Sequence, residues 1–159
     1  AYLSNLHKTF NVIKPIRPLY TKETSRNIRW EITDCYLRFY FSFIYQNQNL
    51  IELGKYDLLK EIILKNYETF SGKTLEKYFT DKIKEEEQIT NIGSWWDKKS
   101  QNEIDIIAVN DLEKNCKIYE VKRKAEKINL KVLENKISLF KQNIQNYNIQ
   151  FFGLSMNDM

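Results

Sequence analysis

Histidine occurs once in this chain of 159 residues, at His7, and cysteine only twice, at Cys35 and Cys116. Two cysteines cannot build a disulfide scaffold or a multi-cysteine zinc site. A single histidine excludes any mechanism that needs two. Glycine occurs four times and proline twice, too few for a collagen-like or Pro/Gly-rich disordered chain. No Gly-rich phosphate loop is present, so the chain carries no nucleotide-binding motif of that kind. No apolar run approaches the ~18 residues that a membrane span needs, and no membrane segment is expected. The first ten residues are polar and mixed, unlike a signal peptide. The expected location is cytoplasmic, with both cysteines as buried thiols in a reducing compartment. Neither sign of charge dominates: 25 Lys+Arg against 21 Asp+Glu leave a net +4, a mild pointer to an anionic partner. The catalytic side chains left to choose from are carboxylates, lysines and hydroxyls.

Hydrophobic residues make up 42% of the chain, enough for a sizeable core in one ordinary domain with an appendage. The chain opens at Ala1 without Met, and Tyr2, Leu3 and Leu6 fit the last turns of a helix, as if it were part of a longer protein. Asn11–Tyr20 carries Pro15 and Pro18 and fits an edge strand or extended arm. Ile28–Ile32 alternates and predicts its hairpin partner, so the two form a wing after a helix. His7 is expected at the surface or packed on this wing. Thr33 or Asp34 caps a helix rich in aromatics through Phe43, expected to be buried on nearly all sides. Gln46–Asn49 reads as a polar linker. Helices are predicted over Tyr56–Phe70 and Thr74–Glu87, separated at Ser71-Gly72. Strands are predicted over Ile89–Trp96, Asn102–Val109 and Cys116–Lys122, a helix over Lys124–Asn143 and a last strand over Ile149–Leu154. The order from Thr74 onward is αβββαβ, an α/β class. Residues 1–49 are expected to form one region and residues 50–159 the main domain.

Three acids sit where an acid is costly. Asp105 lies inside the most apolar strand, Glu120 inside the next one, and Glu76 on the second helix. At about 100° per residue Glu76 falls at the border of the apolar arc of Leu75, Tyr78, Phe79 and Ile83, and points at the edge of the sheet. If Val109 and Cys116 face each other across their loop, counting back along both strands sets Asp105 opposite Glu120. Their Cβ atoms would be ~4.5–5.5 Å apart. Like charges in that place repel, and burying one unpaired costs several kcal/mol. Protonation, a neighbouring cation or a bridging divalent metal relieves the cost. Lys122 follows Glu120 by two and shares its face. Asp105, Glu120 and Glu76 are therefore candidate ligands for Mg²⁺ (or Mn²⁺). With Lys122 they form a candidate catalytic set for phosphodiester hydrolysis.

Asp105, a gap of fourteen residues and Glu120-x-Lys122 resemble the motif of the PD-(D/E)XK nucleases. Glu76 upstream and the αβββαβ order match that pattern. Ile104 replaces the proline that gives the motif its first letter. A narrower resemblance covers most of the chain. The segment Trp30–Phe39, the run Gly93-Ser94-Trp95-Trp96, Asn102–Asp105 and Glu120-Val121-Lys122 are similar to the C-terminal region of archaeal-type AAA+ (DEXX-box) ATPases. This resemblance implies a restriction-endonuclease-like core after the end of a winged helix. It also implies an N-terminal ATPase domain elsewhere in the full-length chain, and DNA as partner.

Each residue also has a plainer reading. Asp105 and Glu120 can form a structural ion pair with Lys122 or Lys98, and Glu76 can be a solvated helix acid. Glu103 shares a strand face with Asp105 and reads as a salt-bridge former or an outlying acid of the site. Trp95 and Trp96 can stack on bases or cap a core. Lys98, Lys99, Lys122, Arg123, Lys124 and Lys127 can line a phosphate track or make a solvated face. Two functions compete: a Mg²⁺-dependent DNA nuclease, and a non-catalytic nuclease-fold module that binds nucleic acid or protein and serves ATPase assembly. The sequence leaves the oligomeric state open, a homo-oligomer included.

Overall fold

The computed structural model describes residues 2–140 and 144–159. They form two compact units, one of Ala1–Ile16 and Ile28–Ser71, the other of Arg17–Asn27 and Gly72–Met159. Neither unit begins or ends at residue 49 or 50. Among the described residues no helix is long and apolar enough to cross a membrane.

In the first unit, α1 (Tyr2–Lys8) precedes a two-stranded antiparallel sheet of β1 (Ile13–Ile16) and β2 (Arg29–Ile32). Pro15 is tolerated opposite Trp30 because both strands are edges. His7 packs on this wing, its ring 5.9 Å from that of Trp30. Asp34 caps α2 (Cys35–Phe39) by accepting from the Leu37 N–H. The chain then runs through a π-helical segment Tyr40–Ile44, a 3₁₀ turn Tyr45–Asn47 and α3 (Gln48–Glu52), so the expected polar linker at Gln46–Asn49 is helical.

The expectation of an all-buried aromatic helix is overturned. Phe43 is buried against Phe39 and Phe70, whereas Tyr36, Phe41 and Tyr45 are exposed. A π turn holds more residues than an α turn and rotates the later aromatics away from the 3.6-residue pattern. Cys35 is exposed as well, because it opens a helix at its solvent side, and only Cys116 is a buried thiol.

The expected break at Ser71-Gly72 is absent: α4 is one helix, Tyr56–Glu86. Ser71 stays helical by donating its hydroxyl to the carbonyls of Tyr67 (2.7 Å) and Glu68 (3.2 Å). Gly72 keeps helical hydrogen bonding at the ~1 kcal/mol that glycine costs against alanine.

In the second unit, β3 (Asn91–Trp96), β4 (Glu103–Asn110), β5 (Asn115–Val121) and β6 (Asn148–Leu154) form a mixed sheet in that order. The first two pairings are antiparallel and the last is parallel. The protein is thus a mixed α/β molecule. A 3₁₀ turn, Ala125–Lys127, precedes α5 (Leu130–Phe140). Asn129 caps α5 and so delays its start relative to the predicted Lys124. The end of that predicted helix, 141–143, lies outside the described residues.

Each face of the sheet carries a core. Ile104, Ile107, Val109, Cys116 and Ile118 pack with Leu133, Ile137 and Phe140 of α5, and Leu19 joins them. Ile106, Ala108, Tyr119 and Val121 pack with Leu75, Phe79 and Ile83 of α4. Burial on both faces explains why β4 reads as a nearly continuous apolar run.

Candidate functional site

The register of the central hairpin is the one counted from the sequence. Val109 stands opposite Cys116, and the ladder continues to Ile106 opposite Tyr119, one step short of Asp105 and Glu120. At that step β4 is irregular. Its pairing with β3 shifts between Gly93 opposite Ile107 and Trp95 opposite Ile104. The shift puts Ile104 and Ile107 in the same core, where strict alternation would separate them. Asp105 lies in this interval. Its Oδ2 accepts the Val121 N–H at 2.8 Å, so a side chain takes up an N–H that regular pairing would give to backbone.

The carboxylates of Asp105 and Glu120 meet at Lys122. Its Nζ is 3.2 Å from Asp105 Oδ2 and 3.3 Å from Glu120 Oε1. It also donates to the Val121 carbonyl at 3.2 Å. The Glu120 side chain is 9% exposed, that of Asp105 16% and that of Lys122 35%, so solvent reaches the group from the lysine side. Glu120 Oε2 accepts the Asn129 N–H at 2.8 Å, at the N-terminus of α5, where the helix dipole favours an anion. Burial alone would lower the Lys122 pKa, but the charges of Asp105 and Glu120 outweigh it and raise it. Lys122 is therefore a fixed cation shared by two acids.

Glu76 stands beside this group under a different partner. Its Oε2 is 2.8 Å from Lys73 Nζ, and Lys73 reaches Glu103 Oε1 at 3.4 Å. Among the described residues Glu76 makes no ion pair with Lys122, and no three His, Cys, Asp or Glu side chains gather as a metal-binding group. The expected three-ligand set is thus not assembled, because Lys73 holds Glu76 toward Glu103. Burial raises the Glu76 pKa first; Lys73 lowers it, and Asp105 and Glu103 raise it again, with a net rise. Burial lowers that of Lys73, but Glu76 and Glu103 carry it upward. Glu103 is the salt-bridge former of the plainer reading, and its carbonyl also accepts from Lys136 Nζ of α5 at 3.1 Å.

The residues expected to touch nucleic acid divide. Trp96 is 2% exposed and its indole N–H donates to Asn27 Oδ1 at 2.8 Å, so as placed it stacks on no base. Trp95 packs on Phe140 with ring centroids 5.9 Å apart and belongs to the core. Lys98 and Lys99 are exposed in the turn that follows β3, Arg123 is half-buried, and Lys124 is exposed after Lys122. Trp96 pairs with Glu103 and Val121 with Leu154, so these basic residues share one end of the sheet with the acids. Lys73 and Lys136 were not singled out in the sequence. The only signal was Lys73 three residues before Glu76 on a helix, a spacing that many solvated pairs share.

A family model described as archaeal and bacterial proteins of unknown function matches residues 40–137, a span that includes all of Glu76, Asp105, Glu120 and Lys122. An uncharacterized protein of Methanocaldococcus jannaschii is 32% identical over 130 residues, covering 77% of this chain and 28% of that protein. The chain thus spans little more than a quarter of the length of this relative. No solved structure gives a significant match.

Proposed function

The chain belongs to this family of archaeal and bacterial proteins, DUF234, and we propose that its second unit is a PD-(D/E)XK-type nuclease domain acting on DNA. One observation carries the proposal: two carboxylates from adjacent strands converge on one lysine at a solvent-reached end of the sheet. Structural ion pairs do not need two acids for one cation. The donors fit a hard divalent ion, since Mg²⁺ commonly takes one or two protein carboxylates and leaves its other positions to water and phosphate. Asp105 and Glu120 would hold Mg²⁺ or Mn²⁺, which neutralises phosphate charge and lowers the pKa of a bound water.

The chain's own groups do the rest. The Asn129 N–H at the start of α5 orients Glu120. Val121 N–H fixes Asp105. Lys122, partly exposed and fully protonated, orients the attacking water or meets charge developing on the phosphate. Lys98, Lys99, Arg123 and Lys124 at the same end track the DNA backbone. The resemblance to DEXX-box ATPases and the greater length of the relative support a place at the C-terminus of a longer, cytoplasmic ATPase chain.

The test is a cleavage assay on single-stranded, duplex and branched DNA in Mg²⁺ or Mn²⁺. Cleavage should fall by about 100-fold or more in Asp105→Ala, Glu120→Ala and Lys122→Ala. A second reading rests on the same lysine. Because Lys122 already pairs with both acids, the unit also suits a non-catalytic module for binding nucleic acid or protein. Wild-type protein that binds DNA but cuts none of the three substrates favours that reading.

A further inference from the structure

The two edges of the four-stranded sheet are treated differently. On the outer side of β3, Leu19 donates its N–H to the Ser94 carbonyl at 2.8 Å, so segment 17–27 covers that edge. β6 is the other edge. Two hydrogen bonds fix which of its backbone groups look inward. Asn148 N–H donates to Lys114 O, and Leu154 O accepts from Lys122 N–H. In a parallel pair one residue in two gives both its groups to the neighbour, so Asn148, Gln150, Phe152 and Leu154 bond to β5. Ile149, Phe151 and Gly153 therefore turn N–H and C=O outward, and among the described residues no hydrogen bond reaches them.

Exposed edges are usually blunted by lysine, proline or a bulge. β6 has none of these. Its register with β5 is unbroken from Asn148 to Leu154, and no charged residue or proline occurs from Gln142 to Asn157. An uncharged edge favours pairing with an identical strand, because no like charges are brought together across the two-fold axis.

We propose that β6 pairs with β6 of a second copy of this chain, antiparallel and centred on Phe151, to join two sheets into one. In that register Phe151 faces its own copy, and Ile149 faces Gly153 of the other chain. Each is a hydrogen-bonded pair exchanging two bonds, so every outward group of Ile149, Phe151 and Gly153 is satisfied. Gln150 faces Phe152, an aromatic that is 37% exposed.

Sedimentation of the 159-residue chain over a dilution series should show a reversible dimer. Gln150→Lys combined with Phe152→Lys sets like charges opposite each other twice and should weaken the dimer at least tenfold. Gln150→Lys with Phe152→Glu loses the same phenyl ring but sets opposite charges together, and should restore it. In the wild type, hydrogen exchange at Ile149, Phe151 and Gly153 should slow as concentration rises, while the N–H groups bonded to β5 stay protected throughout. A wild type that is monomeric at every concentration overturns the proposal. So does a dimer insensitive to both double variants, or one in which those three amides exchange at the monomer rate.

Discussion

Asn129 donates its backbone N–H to Glu120 Oε2 at 2.8 Å while its own side-chain Oδ1 accepts from the Val132 N–H at 3.2 Å. One residue thus caps α5 with its side chain and fixes the buried acid with its main chain. The two roles separate by mutation. Asn129→Ala removes the cap and keeps the N–H, so it should cost about 1 kcal/mol in urea unfolding. Divalent-ion affinity should stay within a few-fold of wild type, and a large loss would mean that the side chain itself serves the site.

Lys122 is the cation for two acids, one of them 9% exposed. Lys122→Met leaves these carboxylates facing each other without it. The cost should be about 1–3 kcal/mol, the range for a buried polar group stripped of its partner. If the acids form a cation site, Mn²⁺ should raise the melting temperature of Lys122→Met more than that of wild type. Equal shifts in both would leave the lysine as half of an ordinary ion pair.

Much of this arrangement was legible in the residues. Alternating and β-branched runs gave the strands, and the loop between Val109 and Cys116 gave their register, which runs to Ile106 opposite Tyr119, one step from Asp105 and Glu120. The irregularity at Asp105 was not legible, since Glu103-Ile104-Asp105-Ile106-Ile107 holds no glycine, and its adjacent Ile106 and Ile107 read as a regular strand buried on both faces. The capture of Glu76 by Lys73 and Glu103 was hidden because it joins residues from a helix and a strand. Gly72 misled in the other direction, as helix continuity on both sides outweighs its low propensity. Trp95-Trp96 shows that composition names a stacking residue without saying which way it faces.

The raised pKa of Glu76 gives a pH dependence with a defined sign. The folded state holds this proton more tightly than the unfolded chain, whose value is near 4.5. The stability it brings is complete below that value and is lost as pH rises through the higher folded one. Glu76→Gln does not titrate. Relative to wild type, its stability should therefore improve from acid to neutral pH in paired urea titrations. A constant difference would show that the Glu76 environment does not favour the protonated form.

Gly153 is required by contact. A Cβ there would lie 2.4 Å from Ile128 Cγ2 and 2.9 Å from its Cδ1. Gly153→Ala should destabilise by about 1–3 kcal/mol, the usual cost of overpacking. Adding Ile128→Ala should recover part of the loss. Simple additivity of the two changes would mean the residues do not meet.

A nuclease site here requires that Asp105 and Glu120 together accept a divalent ion. Calorimetric titration of Mn²⁺ into the wild type, Asp105→Ala and Glu120→Ala reads this directly. The predicted result is one site per chain in the wild type and none in either variant. Equal heats in all three proteins, or no heat in the wild type, would contradict it.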